Sequence, residues 1–143
     1  MHERERRARA AQACVDLYLN KPLSWGKRDC ITLARTSLHK MGVKVPAELK
    51  GIRWTSLKTA VRRLDELGFN DLDEVMDAVG LAEIAPALAW PGDIVALPGA
   101  DRHPFGCALT LAVGNGKLLG FGEGADHCGI LKPHHFHKAW RVA

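Results

Sequence analysis

Long apolar runs are missing from this 143-residue sequence, so it carries no stretch of the roughly 20 apolar residues that a membrane-spanning helix needs. The basic N-terminus lacks the apolar core of a signal peptide, so synthesis and folding are expected in the cytoplasm. Cysteine is sparse: Cys14, Cys30, Cys107 and Cys128 are widely spaced, with no C-x-x-C pair. That spacing argues against a disulfide framework and a zinc ribbon, and reduced thiols are the expected state. Repeats and low-complexity tracts are absent. The net charge is only +4, and basic residues do not interleave with aromatic ones, which disfavours a nucleic-acid partner. Glu3 to Arg9 carries four arginines and two glutamates, read as a solvated helix face rather than as a docking site for an acidic partner.

What is present fits one domain spanning residues 1–143, with enough chain for a proper core. The first half is helical in pattern. Ala10, Ala13, Cys14, Leu17 and Tyr18 form an apolar stripe from about Glu3 to Leu19, ended by Asn20-Lys21-Pro22. Asp29 is a candidate N-cap for a helix to Met41, and Thr55 or Ser56 for another through Leu67. Asp71 to Val79 reads as a short fourth helix, and Val43 to Arg53 as an irregular connection. From Pro91-Gly92-Asp93 the pattern becomes strand-like: Ile94–Leu97, Cys107–Val113, Lys117–Phe121, Gly129–Leu131 and Ala139–Val142. Asn115-Gly116 between two apolar runs is a strong hairpin signal, because both positions tolerate φ > 0. The expected architecture is α+β, with an N-terminal helix (1–22), a cysteine helix and helical insert (23–80), and a small antiparallel sheet (91–143) covered on one side by helices.

The segment with most chemical content is Trp25-Gly26-Lys27-Arg28-Asp29-Cys30. It places Cys30 in the first turn of a helix, where the unpaired N–H groups and Lys27 and Arg28 are expected to lower the thiol pKa. Together with P-G-D before an apolar strand, a strand running into V-G-N-G-K and a closing Ala139-Trp140-Arg141-Val142, this order resembles the NlpC-like branch of the papain-like cysteine peptidases. More narrowly, it resembles the small NlpC-like proteins encoded among phage tail genes. The resemblance covers roughly Leu23 to Val142. It implies an NlpC-like fold in which Cys30 is the nucleophile position, Asp29 the helix-start aspartate and Asp93 a mostly structural aspartate. It also places the histidine position on Ala108 and the orienting polar position near Gly120, neither of which can carry a proton. A peptidase needs a base within hydrogen-bond reach and an acid for the leaving amine, so the aligned dyad is broken.

Other residues remain candidates. His103, on the loop before the second long strand, is the displaced base to consider first, with His127 behind it. His134, His135 and His137 suggest a surface turn or contact surface more than a metal site. Cys30, Cys107 and Cys128 around a metal or iron–sulfur centre is a further alternative. Cys14 reads as a small core residue, and His2 as carrying no role. Trp25, Trp54, Trp90 and Trp140 are read as seam packing in preference to a sugar-stacking groove. Trp25, Asp29 and Asp93 are the candidate binding positions; no metal and no cofactor is expected. The functional expectation is a phage tail-tip or tail-assembly protein that keeps the fold without the hydrolysis. It would be located in the virion, with other tail-tip proteins and host peptidoglycan as partners. The alternative is an active cysteine peptidase or amidase that cleaves peptidoglycan through Cys30 and a non-standard base.

Overall fold

The computed structural model describes residues 2–99 and 103–143. Helix α1 (Glu3–Tyr18) begins behind His2, whose Nδ1 accepts from the Arg4 N–H at 3.2 Å; this histidine therefore has a structural role that the sequence reading did not give it. Helix α2 (Cys30–Lys40) and the one-turn α3 (Ala47–Lys50) follow. Helices α4 (Leu57–Glu66) and α5 (Leu72–Val79) complete the insert. Asp29, Ser56 and Asp71 cap α2, α4 and α5 through their side chains; Asp29 is the cap the sequence pattern predicts, Ser56 is the one of its two candidates for α4, and Asp71 is a third. Each cap satisfies backbone donors that have no partner inside the helix.

Six strands form one antiparallel sheet: β1 (Ala82–Ile84), β2 (Ile94–Pro98), β3 (Cys107–Gly114), β4 (Lys117–Gly120), β5 (Gly129–Leu131) and β6 (Lys138–Arg141). Their spatial order is β1-β6-β2-β3-β4-β5. The β3–β4 hairpin turns through Asn115 and Gly116, both with positive φ (57° and 71°), the backbone that a two-residue turn matched to strand twist requires. Two of these elements fall where none was expected: α3 interrupts the connection read as irregular, and strand β1 lies in a segment assigned no element. The last strand returns to lie between β1 and β2.

Side chains alternate between the two faces of a strand, which divides the core. Ile94, Ala96, Cys107, Leu109 and Trp140 pack with α2, α4 and α5 residues such as Leu38, Leu64 and Met76. Leu111 and Leu119 pack with Cys14, Tyr18, Leu33 and Cys128 under α1 and α2. On the opposite face Val95, Ala112, Leu118 and Ala139 form a third cluster with Ile84, Leu97 and Leu131.

Candidate functional site

The Trp-Gly-x-x-Asp-Cys segment folds as a tight turn in which Arg28 N donates to Ser24 O (2.8 Å) and Ser24 N to Arg28 O (2.9 Å). Gly26 has φ +91°, and a Cβ there would come within 2.0 Å of the Trp54 carbonyl oxygen. Only glycine fits. Asp29 is fully buried, and its carboxylate accepts four hydrogen bonds. Oδ1 takes the N–H groups of Ile31 (2.9 Å) and Thr32 (2.8 Å), while Oδ2 takes Gly26 N (2.8 Å) and Trp54 Nε1 (2.7 Å). Thr32 Oγ1 accepts in return from Asp29 N (2.8 Å), closing a capping box. Asp29 thus joins the turn, α2 and the segment before α4. Its acceptors are committed to the fold, which leaves no free lone pair for a ligand. Trp25 packs its ring 6.1 Å from that of Phe105.

Cys30 sits where this knot delivers it, at the first residue of α2 and partly buried against the core. Its thiol pKa is pushed up to about 12, because burial desolvates the charged form and Asp29 adds a negative field. The backbone of Leu109, of Cys30 itself and of Ile31 opposes that rise without cancelling it. This overturns the expectation of a lowered pKa. A helix N-terminus contributes about 0.3–1 kcal/mol, less than one pKa unit, whereas burial shifts a group by up to 3–5 units. Lys27 is exposed, and neither it nor Arg28 is among the leading influences on the sulfur.

The strand facing Cys30 also corrects the aligned dyad. Cys107 and Leu109 belong to the helix-side core. Ala112 belongs to the far face, and Ala108, four residues earlier on the same strand, shares its side. Gly120 lies on that far face too: a Cβ there would meet Thr110 Cγ2 at 2.7 Å. The positions taken for the histidine and its orienting partner therefore look away from the thiol. The side chain at that strand end on Cys30's side is Cys107, close enough that charge on one thiol raises the pKa of the other.

Cys107 belongs to a polar set absent from the sequence reading. Its Sγ donates to Asp73 Oδ1 at 3.5 Å, and Asp73 Oδ2 lies 2.7 Å from His137 Nε2 and 3.3 Å from Lys138 Nζ. Burial raises the Cys107 pKa, and Asp73 raises it further. For Asp73, burial pushes the pKa up, but the hydrogen bonds from His137 and Lys138 outweigh it and the carboxyl ends below its ordinary value. The carboxylate stands between thiol and imidazole, the reverse of a nucleophile–base–orienter chain. The H-H-x-H run did draw attention to His137; its partner on α5 lies 64 residues away and left no local signal.

A family model described as "Domain of unknown function (DUF6950)" matches residues 3–142. The chain belongs to that family. No curated protein matches the chain.

The remaining candidates fall into place. His103 accepts from Phe105 N through Nδ1 at 3.1 Å, and among the described residues no hydrogen bond joins it to Cys30. His127 is exposed and pairs with Asp126 at 2.8 Å. Cys128 packs beside Cys14, apart from Cys30 and Cys107. Burial raises each of that pair to about 11. Among the described residues no group of three His, Cys, Asp or Glu side chains is placed to hold a metal ion.

Asp93 is buried and accepts from Trp90 N (2.8 Å), Val142 N (2.9 Å) and Arg7 Nη1 (3.0 Å), with Arg141 Nε at 3.2 Å. Arg7 also donates to Val142 O at 2.6 Å and is only 4 % exposed. One arginine of the basic head is therefore a clamp, not part of a solvated face. The tryptophans diverge from a uniform seam. Trp140 is fully buried with its Nε1 unpartnered among the described residues. Trp90 is 53 % exposed, with the Arg141 guanidinium 3.5 Å from its ring centroid.

Proposed function

We propose that this chain is a non-hydrolytic, structural protein of a phage tail tip or tail-assembly complex, built on a degenerate NlpC-like domain. The observation that carries the loss of chemistry is the setting of Cys30: it neighbours Cys107, and among the described residues no hydrogen bond joins it to an imidazole, while burial pushes its thiol up to about 12. At neutral pH a thiol with that pKa is ionised to only roughly 1 part in 10⁴ to 10⁵. The W-G-x-x-D-C turn, with Gly26 and Asp29 both consumed in building the helix start, supports the same reading: the motif works here as architecture. The tail assignment rests on the resemblance of that turn, the P-G-D strand start and the Ala139-Trp140-Arg141-Val142 ending to small tail-gene proteins. A virion location, tail-tip partners and contact with host peptidoglycan belong to this proposal.

One observation favours a second reading. Asp73 and His137 form a close pair tied to Cys107, beside Cys30. A substrate that closed over this set would bring a base nearer the Cys30 thiol and restore a cysteine amidase. Purified peptidoglycan incubated with the wild-type protein and with Cys30→Ser separates the readings. No soluble muropeptide above the Cys30→Ser background is the expected result; release that requires Cys30 refutes the structural reading. The tail assignment is checked separately, by mass spectrometry of purified tails from a phage encoding the chain. Presence in infected cells but not in tails overturns it.

A further inference from the structure

The turn from α2 into α3 forms a surface hollow of about 760 Å³. Arg35, His39, Lys44 and Lys50 line it, Val43 and Val45 supply apolar floor, and among the described residues no carboxylate lines it. Chain geometry places these charges together. Arg35 and His39 are one helical turn apart on α2, Lys44 follows the helix end, and Lys50 closes α3. None of the four takes part in an ion pair among the described residues. Arg35 is anchored, its guanidinium 4.7 Å from the Trp54 ring centroid. It is also partly buried: burial lowers its pKa, and Asp29, which outweighs the repulsion from Arg53, does not cancel that drop. The nearest acid of α3, Glu48, lines the adjoining hollow with Arg53, Arg63 and Glu66.

We propose that this hollow is a docking site for an acidic peptide segment of a partner protein, carboxylates on the basic rim and an aliphatic side chain on the Val43–Val45 floor. The charge fixes the sign of the ligand. The floor favours a peptide: among the described residues no Trp, Tyr or Phe lines the hollow and His39 is its one aromatic ring, a poor platform for a run of stacked bases, whereas an aliphatic anchor suits two valines. The inference is independent of whether Cys30 performs chemistry.

The test is fluorescence anisotropy with a labelled peptide of four glutamates interspersed with leucines. Its controls are a peptide with glutamine at the four glutamate positions and a single-stranded oligothymidylate. The protein variants are K44E/K50E, two exposed positions, and K58E, an exposed lysine outside the hollow, each checked for an unchanged thermal transition. Saturable binding of the acidic peptide is expected, weakened about tenfold or more by K44E/K50E and by salt, and unaffected by K58E. Four outcomes overturn the proposal: no binding up to about 1 mM peptide, equal binding by K44E/K50E, equal binding of the glutamine peptide, or tighter binding of the oligothymidylate. Concentration-dependent dimerisation abolished by K44E/K50E would assign the hollow to a second copy and overturn it as well.

Discussion

At the scale of single residues, the sequence motif and its chemistry separate. Cys30 stands at a helix start, a position that favours thiolate, yet burial outweighs the helix field. All four thiols are raised, and this has a signed consequence for stability. The unfolded chain ionises its thiols from about pH 9, while the folded chain holds Cys30 neutral to about 12. Stability from this source is complete below pH 9 and falls as pH rises towards 12. Urea unfolding between pH 8 and 11 is expected to show that decline, shallower in Cys30→Ala once its own baseline is subtracted; equal slopes would mean the thiol is open to solvent. Gly26 gives a sharper test. Alanine there meets the Trp54 carbonyl in a backbone conformation alanine resists, and a loss of about 2–4 kcal/mol is expected in chemical denaturation. A near-neutral Gly26→Ala would show that the turn rearranges cheaply.

At the scale of elements, α1 is fastened to the sheet by a buried charge knot. Asp93 takes Arg7 and Arg141 as well as two backbone N–H groups, so its two partners are not equivalent to it. Removing the carboxylate leaves the buried Arg7 guanidinium with only the half-exposed Glu3 as a carboxylate partner among the described residues, and Asp93→Ala is expected to cost about 3–5 kcal/mol. Arg7→Met leaves Asp93 paired with Arg141 and fills the space, so it should cost clearly less. Denaturation of both single variants and the double variant checks the order. A larger loss from Arg7→Met, or strict additivity, would mean the two groups do not act as a unit. Asp29 is the matching knot for α2. Its cap was legible because a cap acts over three residues; its bond to Trp54, 25 residues on, was not.

At the scale of the whole molecule, the sheet order carries the main surprise. Strand β6, the last element, lies inside the sheet between β1 and β2, and Trp140 on it is fully buried. A chain ending at His137 would lose both ladders and that tryptophan. It is expected to show no cooperative thermal transition, whereas a chain lacking only Ala143 should melt as wild type. A cooperative melt of the shorter chain would mean that β1 and β2 hold without β6.

The elements themselves were largely readable from sequence, for a physical reason. The cap at Asp29, the cap narrowed to Thr55 or Ser56, the apolar stripes and the Asn115-Gly116 turn are local, each set within a few residues by backbone hydrogen bonding or permitted φ. Strand β1 was missed because three residues carry too little pattern and owe their conformation to pairing with β6. The site was not readable in the same way. Which face Ala108 takes, what surrounds the Cys30 sulfur, that Arg7 is buried and that His137 meets Asp73 all depend on residues far apart in the chain. The sequence alone determined, to within a residue or so, where the four longer helices and the hairpin turn begin and that a cysteine would open α2. Only the tertiary structure decided that this thiol is desolvated, because desolvation is exerted by neighbours that folding, not chain order, brings to it.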